Sequence, residues 1–295
     1  MGQPAVKVGA VDIGTNSMRL LITDGLTPVG RWEEVTGLGR GVDRTGNLSG
    51  EAISISIDAL EGFGRLMASH GVESRKAIAT SASREGSNRE AFFDLAERAL
   101  GVRPTLIDGQ EEARLAYAGA TAHLDGPKPL LVSDIGGGST EFVTATAAVS
   151  VDIGSVRVTE RAIPSRPAPA AELSAAREMI GEMFSSVRMG AVGTLIGVAG
   201  TWTELPALAR GLSSTTDTHG MTVTRQELAN VIDTLSELSV EVTAGLPSLN
   251  PKRAPVILGG ALVAEGVMDV VGAGKALASV EDSLDGLAMT LLALA

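Results

Sequence analysis

The sequence contains no cysteine, and only 3% of its residues are aromatic. The lack of cysteine excludes disulfides and thiolate metal sites and is typical of a reducing compartment, so we expect a cytoplasmic protein. The hydrophobic core must therefore be built mainly from Ala, Val, Leu and Ile. No apolar stretch reaches the length of a membrane span, and the N-terminal residues lack the pattern of a signal peptide. We accordingly expect no membrane partner.

Basic side chains are also few. Lys and Arg total 24 against 35 Asp and Glu, which gives a net charge of −11. This balance argues against a general nucleic-acid or membrane-surface binder. It leaves open a polyanionic substrate, provided that positive charge is concentrated where that substrate binds.

The chain is otherwise that of a folded protein, with 44% hydrophobic and 20% charged residues over a length of 295. That length suits two domains of ordinary size. The stretch 125–129 (D-G-P-K-P) combines Gly, Pro and charge as linkers do. We expect one domain over 1–125 and a second over 126–283, with a final apolar helix, 284–295, packed back on the first. Hydrophobic periodicity also predicts a strand at 102–107 and helices at 171–189 and 252–271.

One hexapeptide pattern, D-I-G-x-x-S, occurs twice. It runs from Asp12 to Ser17 and again from Asp134 to Ser139, each time between two apolar runs typical of strands. The local prediction is a strand, a tight glycine turn and a second strand, made once in each half of the chain.

Such a turn suits phosphate. Glycine lets a bulky anion approach the backbone, and successive turn N–H groups form a concave anion site. An Asp beside the turn would repel phosphate unless a hard cation such as Mg²⁺ lay between them. A plain hairpin with an Asp-capped turn is the alternative for either copy, and the repetition favours the phosphate site.

Four other positions attract interest from their place in the chain. Arg84, and Gly200 with Thr201, follow predicted strands directly, where α/β proteins bind ligands. The loop 37–43 contains three glycines around Arg40, which suits either a solvated loop or an anion contact. Glu112 lies in a first helical turn, where a glutamate usually complements the helix dipole, so its position alone leaves a catalytic role open.

The order of elements resembles the actin and sugar-kinase architecture, and the motifs resemble the exopolyphosphatase and guanosine pentaphosphate phosphatase family. The resemblance covers nearly the whole chain. It depends on both D-I-G-x-x-S blocks and on three further blocks, which are A-T-S-A-S-R-E at 79–85, G-Q-E-E-A-R-L at 109–115 and G-S-V-R at 154–157. It implies an α/β fold of two actin-like (ribonuclease H-like) domains with an interdomain cleft.

The resemblance also implies roles for individual residues. Glu112 would be the base that activates water, and it precedes Asp134 by 22 residues, as in the family. The implied catalytic set is Glu112, Asp134, Asp12 and Glu141, with Mg²⁺ or Mn²⁺ held by Asp12 and Asp134. The implied phosphate-binding set is Gly14, Thr15, Asn16, Ser17, Arg84, Gly136, Gly137, Gly138, Ser139, Thr140, Gly200, Thr201 and Arg253.

Two departures from the family pattern stand out. Pro255 replaces the usual Asp near Arg253, and Ser133 replaces the usual apolar residue before Asp134. Longer family members carry an HD-type helical domain, which needs His-Asp metal ligands. None of the three histidines here precedes an Asp, so the chain resembles the short, two-domain form.

The sequence thus predicts an exopolyphosphatase that releases terminal orthophosphate from inorganic polyphosphate by Mg²⁺-assisted, in-line attack of water. The alternative within the family is a guanosine pentaphosphate (pppGpp) phosphohydrolase of the bacterial stringent response. Alternatives of another class are a non-catalytic polyphosphate or alarmone sensor and an ATP-dependent actin-like kinase. The oligomeric state stays open, a homodimer being one option.

Overall fold

The computed structural model describes residues 6–25, 28–214 and 218–294. Two compact units account for them. Unit 1 comprises the described residues of Met1–Gly119 and Ser283–Ala295, and unit 2 is Ala120–Asp282. The predicted linker at 125–129 lies inside unit 2, a few residues beyond the point where the chain first leaves unit 1.

Unit 1 begins with three strands and continues with alternating helices and strands. Its elements up to this crossing are β1 (Val8–Ile13), β2 (Ser17–Thr23), β3 (Pro28–Val35), α1 (Val42–Thr45), α2 (Gly50–Ser69), β4 (Ser74–Ala79), α3 (Ser81–Glu85), α4 (Arg89–Leu100), β5 (Thr105–Leu106) and α5 (Gly109–Ala120).

The strands of unit 1 form one sheet in the order β3-β2-β1-β4-β5. The first three are antiparallel neighbours, whereas β4 and β5 run parallel to β1. The carboxyl ends of β1, β4 and β5 therefore share one edge. Helix α2 begins where its sequence predicts, because the Ser49 side chain accepts a hydrogen bond from the N–H of Ala52.

Unit 2 repeats the three-strand opening and adds more helices. Its elements are β6 (Leu130–Ile135), β7 (Thr140–Val143), β8 (Ala148–Val151), α6 (Ser155–Ala162), α7 (Ala170–Phe184), β9 (Thr194–Val198), α8 (Ala199–Arg210), β10 (Thr222–Thr224), α9 (Arg225–Glu237), α10 (Val240–Ala244), a 3-10 turn (Pro251–Arg253), α11 (Ile257–Val271) and β11 (Lys275–Ala278). The last helix of the chain, α12 (Ser283–Leu292), belongs to unit 1.

The sheet of unit 2 has the order β10-β11-β9-β6-β7-β8. Strands β6, β7 and β8 are antiparallel neighbours, and β9 and β11 continue the sheet in parallel from β6. Each unit thus joins an antiparallel three-strand meander to parallel strands, which confirms the predicted α/β class with two actin-like domains.

Apolar side chains fill both faces of each sheet. In unit 1, α2 and α4 cover one face, and α12 packs on the other against Val8, Ala10 and Leu21. In unit 2, α11 lies at the centre of the helical layer and contacts α6, α7 and α9. No helix among the described residues is both long and apolar enough to cross a membrane.

Several predicted boundaries were wrong. Helix α7 ends at Phe184 instead of 189, β5 is reduced to two residues after Pro104, and the short elements α1, α3 and β10 were not predicted. The predicted helix 252–271 is a 3-10 turn followed by α11 from Ile257, since Pro255 has no N–H for a continuous helix. The predicted final helix ends at Leu292, and its last position, 295, lies outside the described residues.

Candidate active site

The first D-I-G-x-x-S block forms a tight hairpin between β1 and β2. Its arms pair in register, and the N–H of Gly14 donates to the carbonyl of Ser17 at 3.0 Å. A side chain on Gly14 would lie 2.8 Å from the Ser17 oxygen, so this closure requires glycine. Thr15 and Asn16, at the tip, are both buried.

The loop 36–39 fixes this tip. The N–H groups of Thr36 and Gly37 donate to the Asn16 carbonyl at 2.9 Å, and that of Gly39 donates to the Thr15 carbonyl at 2.7 Å. The tip carbonyls are therefore satisfied by this loop. Among the described residues, the N–H groups of Thr15 and Asn16 donate to no backbone carbonyl in a loop or turn. They are therefore available to an anion.

Asp12 and Arg19 lie opposite each other across this hairpin. Arg19 Nε donates to Asp12 Oδ2 at 3.2 Å, its Nη2 contacts the same oxygen, and Nη2 also donates to Ser283 Oγ at 3.2 Å. The carboxylate of Asp12 is buried, and this guanidinium compensates its charge.

Glu112 is positioned by the turn that follows β5. The carboxylate of Asp108 accepts from the N–H of Glu111 and its carbonyl accepts from the N–H of Glu112, which starts α5. The Glu112 carboxylate then accepts from Arg84 Nη1 at 2.9 Å. Its side chain is only 12% exposed.

Burial raises the pKa of the Glu112 carboxyl from 4.5 to about 7, because the charged form loses its hydration. The Arg84 guanidinium opposes the rise, the Asp12 carboxylate adds to it, and Arg19 also opposes it. A carboxyl group with a pKa near 7 suits general base catalysis at neutral pH.

Backbone hydrogen bonds bring these parts of unit 1 to one edge of its sheet. The N–H of Thr80 donates to the Ile13 carbonyl, and the N–H of Ile107 donates to the Ala79 carbonyl. The N–H of Ala82 reaches the Thr15 hydroxyl at 3.2 Å. Within unit 1, the structure therefore brings together Asp12, Gly14, Thr15, Asn16, Ser17, Arg84 and Glu112.

The second D-I-G-x-x-S block forms the same hairpin between β6 and β7, with Gly136 N–H donating to the Ser139 carbonyl at 3.0 Å. Its tip is Gly137 and Gly138. Thr140 begins β7 and donates from its hydroxyl to the Ile153 carbonyl at 2.6 Å. The two blocks thus share a backbone arrangement as well as a sequence.

The start of α6 fixes the second tip. The carbonyl of Gly136 accepts from the N–H of Ser155, and that of Gly137 accepts from the N–H groups of Val156 and Arg157 at 2.9 and 3.2 Å. A side chain on Gly154 would lie 2.6 Å from the Gly136 oxygen, so this approach requires glycine. The carbonyls of Gly136 and of the tip residue Gly137 are therefore satisfied by the start of α6.

Asp134 and Glu141 lie opposite each other across this second hairpin, and both are buried. Ser150 donates to Glu141 Oε1 at 2.7 Å. Like charges opposite each other in a sheet repel, so this carboxylate pair favours a cation. The pair occupies the same place in this hairpin as Asp12 and Arg19 in the first, and Glu141 stands where unit 1 has the arginine.

Beside this hairpin, β9 leads into α8 through a strained residue. Ala199 has φ of 66°, which is the one positive φ of a non-glycine residue in the described part of the chain. Arg253 lies across the next residue, Gly200, where a side chain would come within 1.7 Å of the guanidinium. The Arg253 Nε lies 3.5 Å from Glu204 Oε1, and Thr201 is buried next to Gly260.

Two partners in these arrangements were missed by sequence reasoning. Arg19 compensates Asp12, and Glu204 contacts Arg253 from inside unit 2. The spacing of the hairpin could have revealed Arg19, since a two-residue tip at 15–16 pairs residue 12 with residue 19. Nothing in the sequence marks Glu204, which lies one helical turn after Gly200.

Divalent metal binding can be judged from the donors present. No group of three or more His, Cys, Asp or Glu side chains able to hold an ion occurs within residues 6–25, 28–214 and 218–294. Unit 1 contains the Asp12 carboxylate and the buried Asn16 Oδ1, which accepts no hydrogen bond, and unit 2 contains the carboxylates of Asp134 and Glu141. Oxygen donors of these kinds fit Mg²⁺, which prefers oxygen and keeps several waters.

Comparison with known proteins identifies relatives along nearly the whole chain. The model of the Ppx/GppA phosphatase family matches residues 20–284. Exopolyphosphatase 2 of Mycobacterium tuberculosis is 36% identical, over 97% of this chain and 98% of that protein.

Two solved structures agree with this match. The crystal structure of an exopolyphosphatase-like protein is 35% identical with a TM-score of 0.91, covering 96% of this chain and 98% of that one. The Ppx-GppA enzyme of Aquifex aeolicus is 29% identical with a TM-score of 0.80, covering 97% and 100%.

Proposed function

Because the chain belongs to the Ppx/GppA phosphatase family, we propose that it is an exopolyphosphatase, which hydrolyses the terminal phosphoanhydride bond of inorganic polyphosphate. Relatives that match nearly the full chain support this substrate. The observation that carries the proposal is Glu112, a buried carboxyl with a raised pKa at the edge where β1, β4 and β5 end.

In this proposal the two hairpin tips bind phosphoryl oxygens. Loop 36–39 donates to the carbonyls of Thr15 and Asn16 in unit 1, and the start of α6 donates to those of Gly136 and Gly137 in unit 2, which leaves tip N–H groups for the anion. The hydroxyls of Ser17 and Ser139, and Thr201 beside Gly200, would add donors. Arg84 and Arg253 would supply positive charge, in a protein whose net charge of −11 repels such a substrate elsewhere.

The proposed metal is Mg²⁺ or Mn²⁺, held by Asp12 and Asp134 largely through waters, and Glu141 adds negative charge beside Asp134. Such an ion would neutralise the charge on the transferred group and on the leaving chain. The remaining chemistry is carried by the protein's own side chains.

Glu112 would orient a water molecule and accept its proton while the water oxygen attacks the terminal phosphorus. The new P–O bond forms in line with the bridging P–O bond that breaks, and the leaving chain is one phosphoryl group shorter. Arg84 donates to Glu112, so it orients the base and keeps the carboxylate form accessible. Positioning and electrostatics dominate catalysis of phosphoryl transfer.

Replacing the base tests this assignment. Glu112→Gln should lower kcat by about 10²–10⁴-fold, because a positioned general base contributes that much, and should leave polyphosphate binding near normal. Glu111→Gln is the matched control, since Glu111 lies in the same helical turn and is exposed. An unchanged kcat in Glu112→Gln would remove Glu112 from this role.

A substrate panel tests the function itself. Phosphate release is measured from long-chain polyphosphate, pppGpp and ATP, each with and without Mg²⁺ and Mn²⁺. We expect the highest kcat/KM on polyphosphate and loss of activity without a divalent ion. Preference for pppGpp would assign the alternative activity of the family, and preference for ATP would contradict the proposal.

A further inference from the structure

The backbone of the glycine-rich loop 37–41 helps to hold the first hairpin tip, but the side chains of this loop and of the short helix α1 that follows it have no role in the function proposed above. This segment is firmly held. Its backbone donates to the first hairpin tip, and Leu38 and Val42 are buried in the core of unit 1. The N–H groups of Arg40 and Val42 donate to the carbonyls of Gly37 and Gly39, so the loop closes on itself.

Arg40 lies next to the phosphate-binding tip. Its guanidinium folds across Gly37, where a side chain would come within 2.6 Å of Nε and 3.0 Å of Cζ. The N–H of Gly37 donates to the Asn16 carbonyl at 2.9 Å. One residue thus connects the Arg40 guanidinium to the tip. Gly37 has φ of 65°, a conformation that glycine tolerates, so the loop is built for this close approach.

The charge of Arg40 is uncompensated. Arg40 is exposed, and in the described part of the chain it has neither an ion pair nor a side-chain hydrogen bond. Arg44, four residues further on in α1, is likewise exposed and without a partner among the described residues. Arg19 and Arg84, by contrast, pair with Asp12 and Glu112. Asp43 is the one carboxylate on the same turn.

Arg40 is near the first hairpin tip, and Arg44 follows it four residues later, so the chain offers two uncompensated guanidinium groups in succession from this tip outward. Arginine binds phosphate oxygens through two parallel N–H donors. Polyphosphate carries negative charge on every phosphoryl group, so the part of the chain behind its terminal group also needs cations.

We propose that Arg40, followed by Arg44, binds the phosphoryl groups that lie behind the terminal group of a polyphosphate chain. This inference depends on the exopolyphosphatase function proposed above and assigns it a preference for longer chains. Arg40 contacts the groups nearest the hydrolysed bond, and Arg44 contacts groups further along. The loss caused by removing either arginine must therefore increase with chain length.

The experiment compares kcat/KM on long-chain polyphosphate with kcat/KM on tripolyphosphate for Arg40→Ala and Arg44→Ala. Removing Arg40 should lower the ratio of the two values by about 5-fold, as expected for an accessible charge pair, and removing Arg44 by less. Arg40→Lys should restore part of the loss, because it keeps the charge and loses the bidentate geometry. Thermal unfolding of each variant checks that the fold is intact.

Arg98→Ala is the matched control. Arg98 is an exposed arginine of unit 1 without a partner among the described residues, and it lies in the last turn of α4. That turn ends at Leu100, whose carbonyl accepts from Arg75 near the start of β4, opposite the end that reaches the hairpin. Arg98→Ala should leave the ratio unchanged.

A binding measurement separates this inference from the function on which it depends. In a Glu112→Gln background, which slows turnover, Arg40→Ala should weaken binding of long-chain polyphosphate and reduce the salt dependence of its Kd. An unchanged ratio and an unchanged Kd in Arg40→Ala would overturn the inference. The proposed function would still stand in that case if the wild type hydrolysed polyphosphate. A wild type that releases no phosphate from any polyphosphate would overturn both.

Discussion

Activity should fall steeply when the pH drops below neutrality, because the pKa of Glu112 is raised to about 7 by burial. Only the ionised carboxylate can accept a proton from water. With a pKa of about 7, half of the enzyme is competent at pH 7, about one tenth at pH 6 and about one hundredth at pH 5. A glutamate at its ordinary value of 4.5 would remain almost fully ionised at pH 6.

The assay is kcat/KM on polyphosphate across pH 5–9 at saturating metal, since this quantity reports the ionisation of the free enzyme. Glu112→Gln, measured over the same range, gives the pH dependence that comes from ionisation of the substrate and from metal binding. The wild-type profile is corrected for this background. In Arg84→Ala the midpoint should move to higher pH, because Arg84 holds the pKa of Glu112 down. Arg114→Ala, an exposed arginine two residues after Glu112, is the control.

The same shift predicts an effect on stability, with a definite sign. Glu112 binds its proton more tightly when the protein is folded than when it is unfolded. Its contribution to the unfolding free energy is therefore fully present below pH 4.5 and is lost as the pH rises through about 7. The upper bound of the loss is roughly 3–4 kcal/mol for a shift of this size. Glu112→Gln should remove this loss, and so be more stable than the wild type at pH 8.

A rising limb of the corrected rate profile near pH 5 would refute this reasoning. A second refuting outcome combines two results: Glu112→Gln is no more stable than the wild type at pH 8, and a direct titration of Glu112 gives an ordinary pKa. A midpoint that does not move in Arg84→Ala would contradict the electrostatic role given to Arg84.

The remaining predictions concern the backbone at three positions, Gly286, Gly181 and Ala199. Gly286→Ala should destabilise unit 1 by about 2 kcal/mol or more, because the added carbon would lie 2.1 Å from the Leu115 carbonyl oxygen. Gly181→Ala in α7 should stabilise the protein by up to about 1 kcal/mol, because the added carbon meets nothing within 4 Å and alanine favours a helix. Urea unfolding measures both effects. Ala199→Gly should raise the unfolding free energy by about 0.5–1 kcal/mol by relieving the positive φ of 66°, whereas Ala199→Val should lower it.

Much of the fold could be predicted from local signals. Ser49 caps α2 as expected, and both D-I-G-x-x-S blocks form the hairpins that their glycines indicate. The signals failed where tertiary contacts decide. Helix α1 is held in place by glycines at 41 and 46 and by burial of Val42, and its four residues carry too little periodicity to be predicted.

The candidate site divides in the same way. The hairpin residues and Glu112 could be predicted as site candidates from the sequence. That the candidates of each unit lie close together follows from parallel strands that end at a common edge of the sheet. The raised pKa of Glu112 and the contact between Arg253 and Glu204 were not predictable, because both depend on burial and on side chains distant in sequence.

The two hairpins are alike in sequence and different in charge, and this difference bears on how the work of catalysis is divided. Opposite Asp12 lies Arg19, so the first hairpin is electrically balanced, and Arg84 with Arg40 adds positive charge to unit 1. Opposite Asp134 lies Glu141, so the second hairpin presents two buried carboxylates. We infer that unit 1 is suited to bind phosphoryl oxygens directly and to activate water through Glu112. Unit 2 would contribute Asp134 to the proposed cation site, and the Glu141 carboxylate opposite it adds negative charge that favours a cation.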